Sequence, residues 1–247
     1  MPILNDDTLE KVALTQSHYG YSATRIEDLG ATEYTLATVI CDVSGSTSAF
    51  VREMEAAIKR IVRACKYSPR ADNLLLRIVQ FDTTLGELHG FRLLATVHEA
   101  DYDGALASGG ATALYDATIN GVAATANYGA HLANHDFAAN GIVFVLTDGD
   151  DNASKQTKAS VRDALAAAVR DESLESLVSV LVGVNVLNPQ LSQYLMQLYK
   201  DAGFTQYVEL DDAQPETLAR LANFVSRSIA AQSQSLGTGG PSRSLVF

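Results

Sequence analysis

Cysteine is scarce in this 247-residue chain: Cys41 and Cys65 occur in no CxxC and at no spacing that pairs them. The sequence therefore predicts two free, largely buried thiols, with neither a disulfide nor a thiolate zinc site. Basic residues are also few. Eighteen Lys and Arg stand against 29 Asp and Glu, a formal net charge of -11. That balance repels polyanions and argues against nucleic acid as a main partner, whereas cations and basic protein surfaces remain compatible. No apolar run reaches the roughly eighteen residues that a membrane span requires, and residues 1–7 lack the basic start and apolar core of a signal peptide. A cytoplasmic protein with no membrane partner is the expectation. GxxxxGK[ST] and GxGxxG are missing from every strand-to-helix turn, which leaves nucleotide binding without a motif. His131 and His135 share helical spacing but lack the glutamate of HExxH, so zinc is not expected there either.

What is present is a long, regularly alternating pattern. A chain of this length fits one large α/β domain that buries roughly 70–75% of its unfolded surface. The apolar, β-branched run 34–41 reads as a buried strand and is followed by a helix over 47–66, with Phe50, Met54, Ile58, Ile61 and Val62 on one stripe. A strand is predicted at 74–81 and a short edge hairpin within 86–94, where turn residues flank brief apolar pieces. Next come a Gly-rich loop and a helix over 113–131. The uninterrupted apolar run that starts at Gly141 implies a central parallel strand covered on both faces. Helix, strand, helix, strand and helix then alternate over 158–170, 177–184, 189–202, 205–209 and 215–231. This spacing predicts a doubly wound, mostly parallel central sheet flanked by helices on both faces, with one short antiparallel edge strand. Residues 1–33 form an N-terminal extension with a short helical candidate over 7–14. Residues 232–247 read as a flexible Ser/Gly-rich tail ending in the apolar Leu245-Val246-Phe247.

In such a sheet, sites lie beyond the carboxyl ends of the strands. Asp42-Val43-Ser44-Gly45-Ser46 follows the first buried strand directly, and Asp148 ends the central one in Leu-Thr-Asp-Gly. Between them, Thr112 lies on the loop Ser108-Gly-Gly-Ala-Thr. Each piece alone has an ordinary explanation: Ser-Gly-Ser as a helix cap, Asp148-Gly149 as a turn. Together they supply two carboxylates and three hydroxyls, the oxygen donors a hard cation takes. Two acids neutralise a dication and leave it able to accept an anionic ligand oxygen.

The DxSGS turn, the loop threonine and the later TDG resemble the metal-ion-dependent adhesion site of von Willebrand factor type A (vWA) domains, over residues 34–231. The resemblance implies that Asp42, Ser44, Ser46, Thr112 and Asp148 bind Mg²⁺, with Mn²⁺ or Ca²⁺ able to replace it. It implies a protein partner that completes the coordination with its own Asp or Glu, and it includes intracellular bacterial modules working beside AAA-type ATPases or in stress systems. By the same analogy Gly45 allows the tight turn, and Gly109-Gly110 let the threonine loop move. Asp116, Asp150 and Asp151 either support the site from outside or are a helix-start residue and a solvated acidic loop. The alternative to a binding module is a metal-dependent phosphate-ester hydrolase. Such an enzyme needs a second acid near an aspartyl nucleophile, where this chain has Ser44.

Overall fold

The computed structural model describes residues 8–15, 17–171, 173–240 and 245–247. In chain order the strands are β1 (Leu9–Val12), β2 (Tyr21–Thr24), β3 (Glu33–Asp42), β4 (Leu74–Phe81), β5 (Leu85–Leu93), β6 (Ala138–Thr147), β7 (Leu177–Gly183) and β8 (Gln206–Glu209). The helices are α1 (Val51–Lys66), α2 (Leu114–Ala133), α3 (Lys158–Arg170), α4 (Pro189–Ala202) and α5 (Pro215–Thr238). Local signals set these limits. In α4, the Asn188 side chain accepts from the Gln190 amide, Pro189 opens the first turn, and Gly203 closes the helix at φ 78°.

The strands form one sheet in the order β1-β2-β5-β4-β3-β6-β7-β8. From β4 to β8 every pairing is parallel. β5 returns antiparallel to β4. Residue parity on the central strands sorts the core into layers. Ala37, Val39 and Cys41 of β3 join Ile142, Phe144 and Leu146 of β6 on the side of α1 and α5. Ile40, Val143 and Val145 join the layer of α2, α3 and α4 on the other side. With both faces covered, β3 is buried from Tyr34 to Asp42, and each fully buried Ile, Val or Phe contributes roughly 1.5–3 kcal/mol. Cys41 and Cys65 are free and buried, and burial pushes both thiols up to about 12.

Two segments depart from the sequence reading. The segment expected to be helical around Leu9 is a strand, β1, paired antiparallel with β2. A helix of about two turns costs more to nucleate than its few hydrogen bonds return, whereas a hairpin on an existing sheet satisfies its backbone at once. β5 is consequently flanked on its outer side by β2. At the other end α5 continues to Thr238, so residues 232–238, read as tail, are helical. Gln232 and Ser233 there are buried: the Gln232 carbonyl accepts from Asn140 Nδ2 at 2.7 Å, and Ser233 Oγ accepts from Arg70 Nε at 3.0 Å. Among the described residues no helix is long and apolar enough to cross a membrane.

The hairpin is fastened by a buried charge. Arg77 on β4 is fully buried and donates to Glu87 Oε1 at 2.6 Å and Asn120 Oδ1 at 2.8 Å. Glu87 in turn accepts from the Ser22 amide at 3.0 Å and hydroxyl at 2.7 Å. Beside this contact β2 crosses β5 so closely that a Cβ on Gly90 would lie 2.0 Å from the Ser22 carbonyl oxygen. Gly90→Ala is therefore expected to force β2 away from β5 and to cost roughly 1–3 kcal/mol. The urea midpoint should fall, with amide exchange quickening first in Leu9–Val12 and Tyr21–Thr24; an unchanged midpoint and exchange pattern would refute this account.

Candidate metal-binding site

The parallel centre of the sheet brings Asp42 and Asp148 to one edge. β3 pairs with β6 up to Cys41 opposite Leu146, so the residues that follow both strands emerge side by side. Asp42 is buried, and its two oxygens are already engaged: Oδ1 accepts from the Ser44 amide at 2.8 Å and Oδ2 from the Thr147 hydroxyl at 2.6 Å. Ser46 Oγ donates to Asp148 Oδ1 at 2.7 Å and lies 3.2 Å from Ser44 Oγ. Asp42, Ser44, Ser46 and Asp148 thus form one connected patch, and Thr147, whose hydroxyl holds Asp42, is a residue that sequence reasoning did not single out. Its position within Leu-Thr-Asp-Gly was the available signal.

Thr112 reaches the same place from a third loop. Its hydroxyl faces Gly149, where a Cβ would stand 3.5 Å away. The Thr112 amide donates to Asn152 Oδ1 at 2.7 Å, and the Asn152 amide donates back to the Thr112 carbonyl at 3.0 Å. Asn152 is a second residue missed in the sequence. The threonine loop is stitched to the first turn by main-chain bonds, Gly45 N to Gly110 O at 3.1 Å and Gly109 N to Val43 O at 2.8 Å. The glycine this geometry requires is Gly110, at φ 70° with the Thr83 hydroxyl 2.7 Å from where a Cβ would be. Gly45 has no positive φ; a Cβ there would meet only ordinary contact at 3.6 Å.

The neighbouring acids divide. Asp116 Oδ1 accepts from the Gln156 amide at 2.9 Å and Oδ2 from the Lys155 amide at 3.1 Å. Asp151 Oδ1 accepts from the Tyr115 amide at 3.2 Å and from the Ser154 hydroxyl. Both therefore anchor the 151–156 loop to the start of α2. Asp150 is exposed.

Electrostatically the patch is short of positive charge. Among the described residues neither Asp42 nor Asp148 pairs with Lys or Arg. Burial raises the Asp42 carboxyl above its ordinary range, against the pull of hydrogen bonds from Thr147 and Ser44. Burial likewise pushes Asp148 up to about 6, opposed by the Ser46 hydrogen bond and reinforced by the Asp42 charge. Two desolvated acids amid neutral oxygen donors suit a hard divalent cation. Among the described residues no three His, Cys, Asp or Glu side chains converge as a metal cluster, so a cation here depends on the hydroxyls as well as the acids.

No family model and no curated protein matches this sequence. Solved structures share its fold. The PilB minor pilin from Streptococcus sanguinis superposes with a TM-score of 0.58 at 14% identity, over 88% of this chain and 66% of that one. The pilus adhesin SpaC from Lactobacillus rhamnosus GG gives 0.59 at 10% identity, over 90% and 34%. Proximal thread matrix protein 1 from the mussel byssus, in a form with a zinc-occupied MIDAS motif, gives 0.51 at 19% identity, over 81% and 46%. The chain thus spans under two thirds of each neighbour. These likenesses establish a doubly wound, vWA-like α/β fold.

The raised carboxyls have a definite consequence. Asp148 ordinarily titrates near 3.9 when unfolded but near 6 in the fold, so the folded state holds the extra proton between those values. Without metal, its contribution to stability therefore falls as pH rises through this window. In chelator, the melting temperature of the wild type minus that of Asp148→Asn should decline from pH 4 to pH 7. Mg²⁺ should raise the wild-type value more at pH 7 than at pH 5. A wild-type-minus-variant difference that stays flat in scanning fluorimetry would contradict the desolvated-acid account.

Proposed function

We propose that this chain is a non-enzymatic protein-binding module whose ligand passes through a divalent cation. Asp42, Ser44, Ser46, Thr112 and Asp148 are the ligands, in the manner of the metal-ion-dependent adhesion site of vWA domains, and an Asp or Glu of the partner completes the shell. The observation that carries this reading is the pair of desolvated carboxylates, each held by a hydroxyl and paired with no basic side chain among the described residues. Bound there, the cation would supply a Lewis-acid site for an anionic oxygen.

The chain's own residues do the remainder. Thr147 and the Ser44 amide orient Asp42, Ser46 holds Asp148, and Asn152 fixes the backbone of Thr112. An all-oxygen donor set favours Mg²⁺, with Mn²⁺ or Ca²⁺ as substitutes, over zinc, which prefers nitrogen and sulfur. The MIDAS motif named for the mussel neighbour holds zinc, so a related fold accommodates a dication in a motif of this kind. Partner binding fits the neighbours that are a pilus adhesin and a minor pilin. For this chain the resemblance to intracellular members leads us to place the partner in a cytoplasmic assembly, AAA-type ATPase-linked or stress-related. Catalysis is not part of the proposal. A phosphate-ester hydrolase would need an acid where Ser44 stands.

Metal linkage provides the test. A cation at a hundredfold excess over its dissociation constant should stabilise the fold by about 2.7 kcal/mol, and a chain of this size gains about 2–4 °C in melting temperature per kcal/mol. Mg²⁺ or Mn²⁺ should produce that shift in the wild type and none in Asp42→Ala. Affinity capture in Mg²⁺ should retain a protein partner that is released by EDTA and absent with Asp42→Ala. Capture indifferent to chelator and to this substitution would end the proposal.

A further inference from the structure

The threonine loop is held from three sides, and one of them lies outside the patch of acids and hydroxyls. β4 ends at Phe81, opposite Asp42 of β3, and residues 82–84 turn back from it into β5. Asp82 closes this turn on itself: its amide donates to the Thr84 carbonyl at 3.0 Å, and its Oδ1 accepts from the Thr84 amide at 2.8 Å and hydroxyl at 3.1 Å. The turn then grips the loop on either side of Thr112. Thr83 Oγ1 accepts from the Ala111 amide at 2.9 Å, and the Asp82 carbonyl accepts from the Ala113 amide at 2.8 Å. With the Thr112 amide on Asn152, three consecutive amides have fixed acceptors. The approach is close enough to need glycine beside it: a Cβ on Gly110, already at φ 70°, would stand 2.7 Å from Thr83 Oγ1 and 3.1 Å from Asp82 Oδ2.

We infer that Thr83 is a positioning residue for the metal site, latching the threonine loop so that the Thr112 hydroxyl is in place before a cation arrives. The inference rests on the metal-site reading above and concerns how that site reaches its affinity. The resemblance to vWA domains implies a loop freed by Gly109 and Gly110. Here both glycines are bonded to the first turn, Gly109 through its amide and Gly110 through its carbonyl, and the left-handed backbone of Gly110 serves close contact with Thr83. Of the three acceptors that hold the amides of residues 111–113, those from Thr83 and Asn152 are side-chain atoms, which a substitution can remove. A latched loop has its ordering cost met during folding. A loose one meets that cost when the cation binds, and affinity falls accordingly. Thr83 acts through the loop backbone and is not itself a ligand.

Thr83→Val keeps the shape of the side chain and removes the acceptor, and Thr83→Ser restores it. The probe is Mn²⁺, whose free aqua ion is read by electron paramagnetic resonance. The wild type should bind it, and Asp42→Ala should not. Thr83→Val should bind it roughly tenfold more weakly, as when a support behind a metal ligand is lost, and Thr83→Ser should recover the affinity. In EDTA the melting temperature of Thr83→Val should stay close to that of the wild type, whereas fold destabilisation alone would lower it and leave the affinity unchanged. Under the same conditions the amides of Ala111, Thr112 and Ala113 should exchange faster in Thr83→Val and at the wild-type rate in Thr83→Ser. Where Asp42→Ala abolishes binding, a Thr83→Val affinity equal to that of the wild type, or a loss that Thr83→Ser fails to recover, overturns the positioning role alone. No Mn²⁺ binding by the wild type, or binding that survives Asp42→Ala, overturns the metal site itself and this role with it.

Discussion

Two carboxylates drawn out of water at the same edge of a parallel sheet set the terms for this molecule. Asp42 and Asp148 are each raised by burial, and the charge of Asp42 adds to the burden on Asp148. The sheet enforces their proximity: β3 and β6 run in register for their whole shared length, and the apolar layers on both faces leave neither strand free to shift. A slip of one residue would send every side chain to the opposite layer. The core therefore holds two like charges where, left to themselves, they would separate. Hydroxyls relieve part of the strain, Thr147 on one acid and Ser46 on the other. What they do not supply is a positive charge.

The hydroxyl pattern also determines what can be added. A serine or threonine oxygen has one proton to give and two lone pairs to offer. Ser46 can keep donating to Asp148, and Thr147 to Asp42, while lone pairs of Ser44, Ser46 and Thr112 stay free for a cation. On the proposed reading, binding needs little rearrangement in the first turn. The backbone around Thr112 is similarly prepared, pinned by Asn152 and by the main-chain bonds from Gly45 and Val43. Asp116 and Asp151 extend that support by fixing the 151–156 loop against the start of α2. Their acidity serves amide capture, which removes them from the pool of metal ligands.

How much of this was legible in the sequence follows from which interactions are local. The apolar runs around Val39 and Phe144 are buried on both faces, so they read as central strands without any partner in view. The DxSGS turn and the TDG were visible as chemistry because each sits directly after such a run. Thr147 was hidden because its partner Asp42 is 105 positions away, and Asn152 because its reciprocal bonds to Thr112 span 40. Gly45 drew attention for lying inside the motif, yet the left-handed backbone belongs to Gly110, whose need arises from Thr83 across the loop. The N-terminal strand was misread because Leu9 and Val12 stand at the i, i+3 spacing of a helix face, whereas the pairing with β2 that makes the segment a strand is not local. The extension of α5 was missed because Gln232 and Ser233 look like tail residues until Asn140 and Arg70 come up beneath them.

Net charge limits which partner can use the site. The chain carries -11 overall, so an acidic partner is repelled as it approaches, while within a few ångströms an exposed dication attracts the one carboxylate that reaches it. Screening confines the long-range repulsion to about 8 Å at physiological salt. A partner that is basic over its broad surface and acidic at a single protruding residue satisfies both terms, being drawn in at a distance and fixed at contact. A uniformly acidic partner satisfies only the second. On the proposed reading, selectivity is therefore divided: the charge of the whole chain chooses the approaching surface, and Asp42, Ser44, Ser46, Thr112 and Asp148 choose the residue that docks.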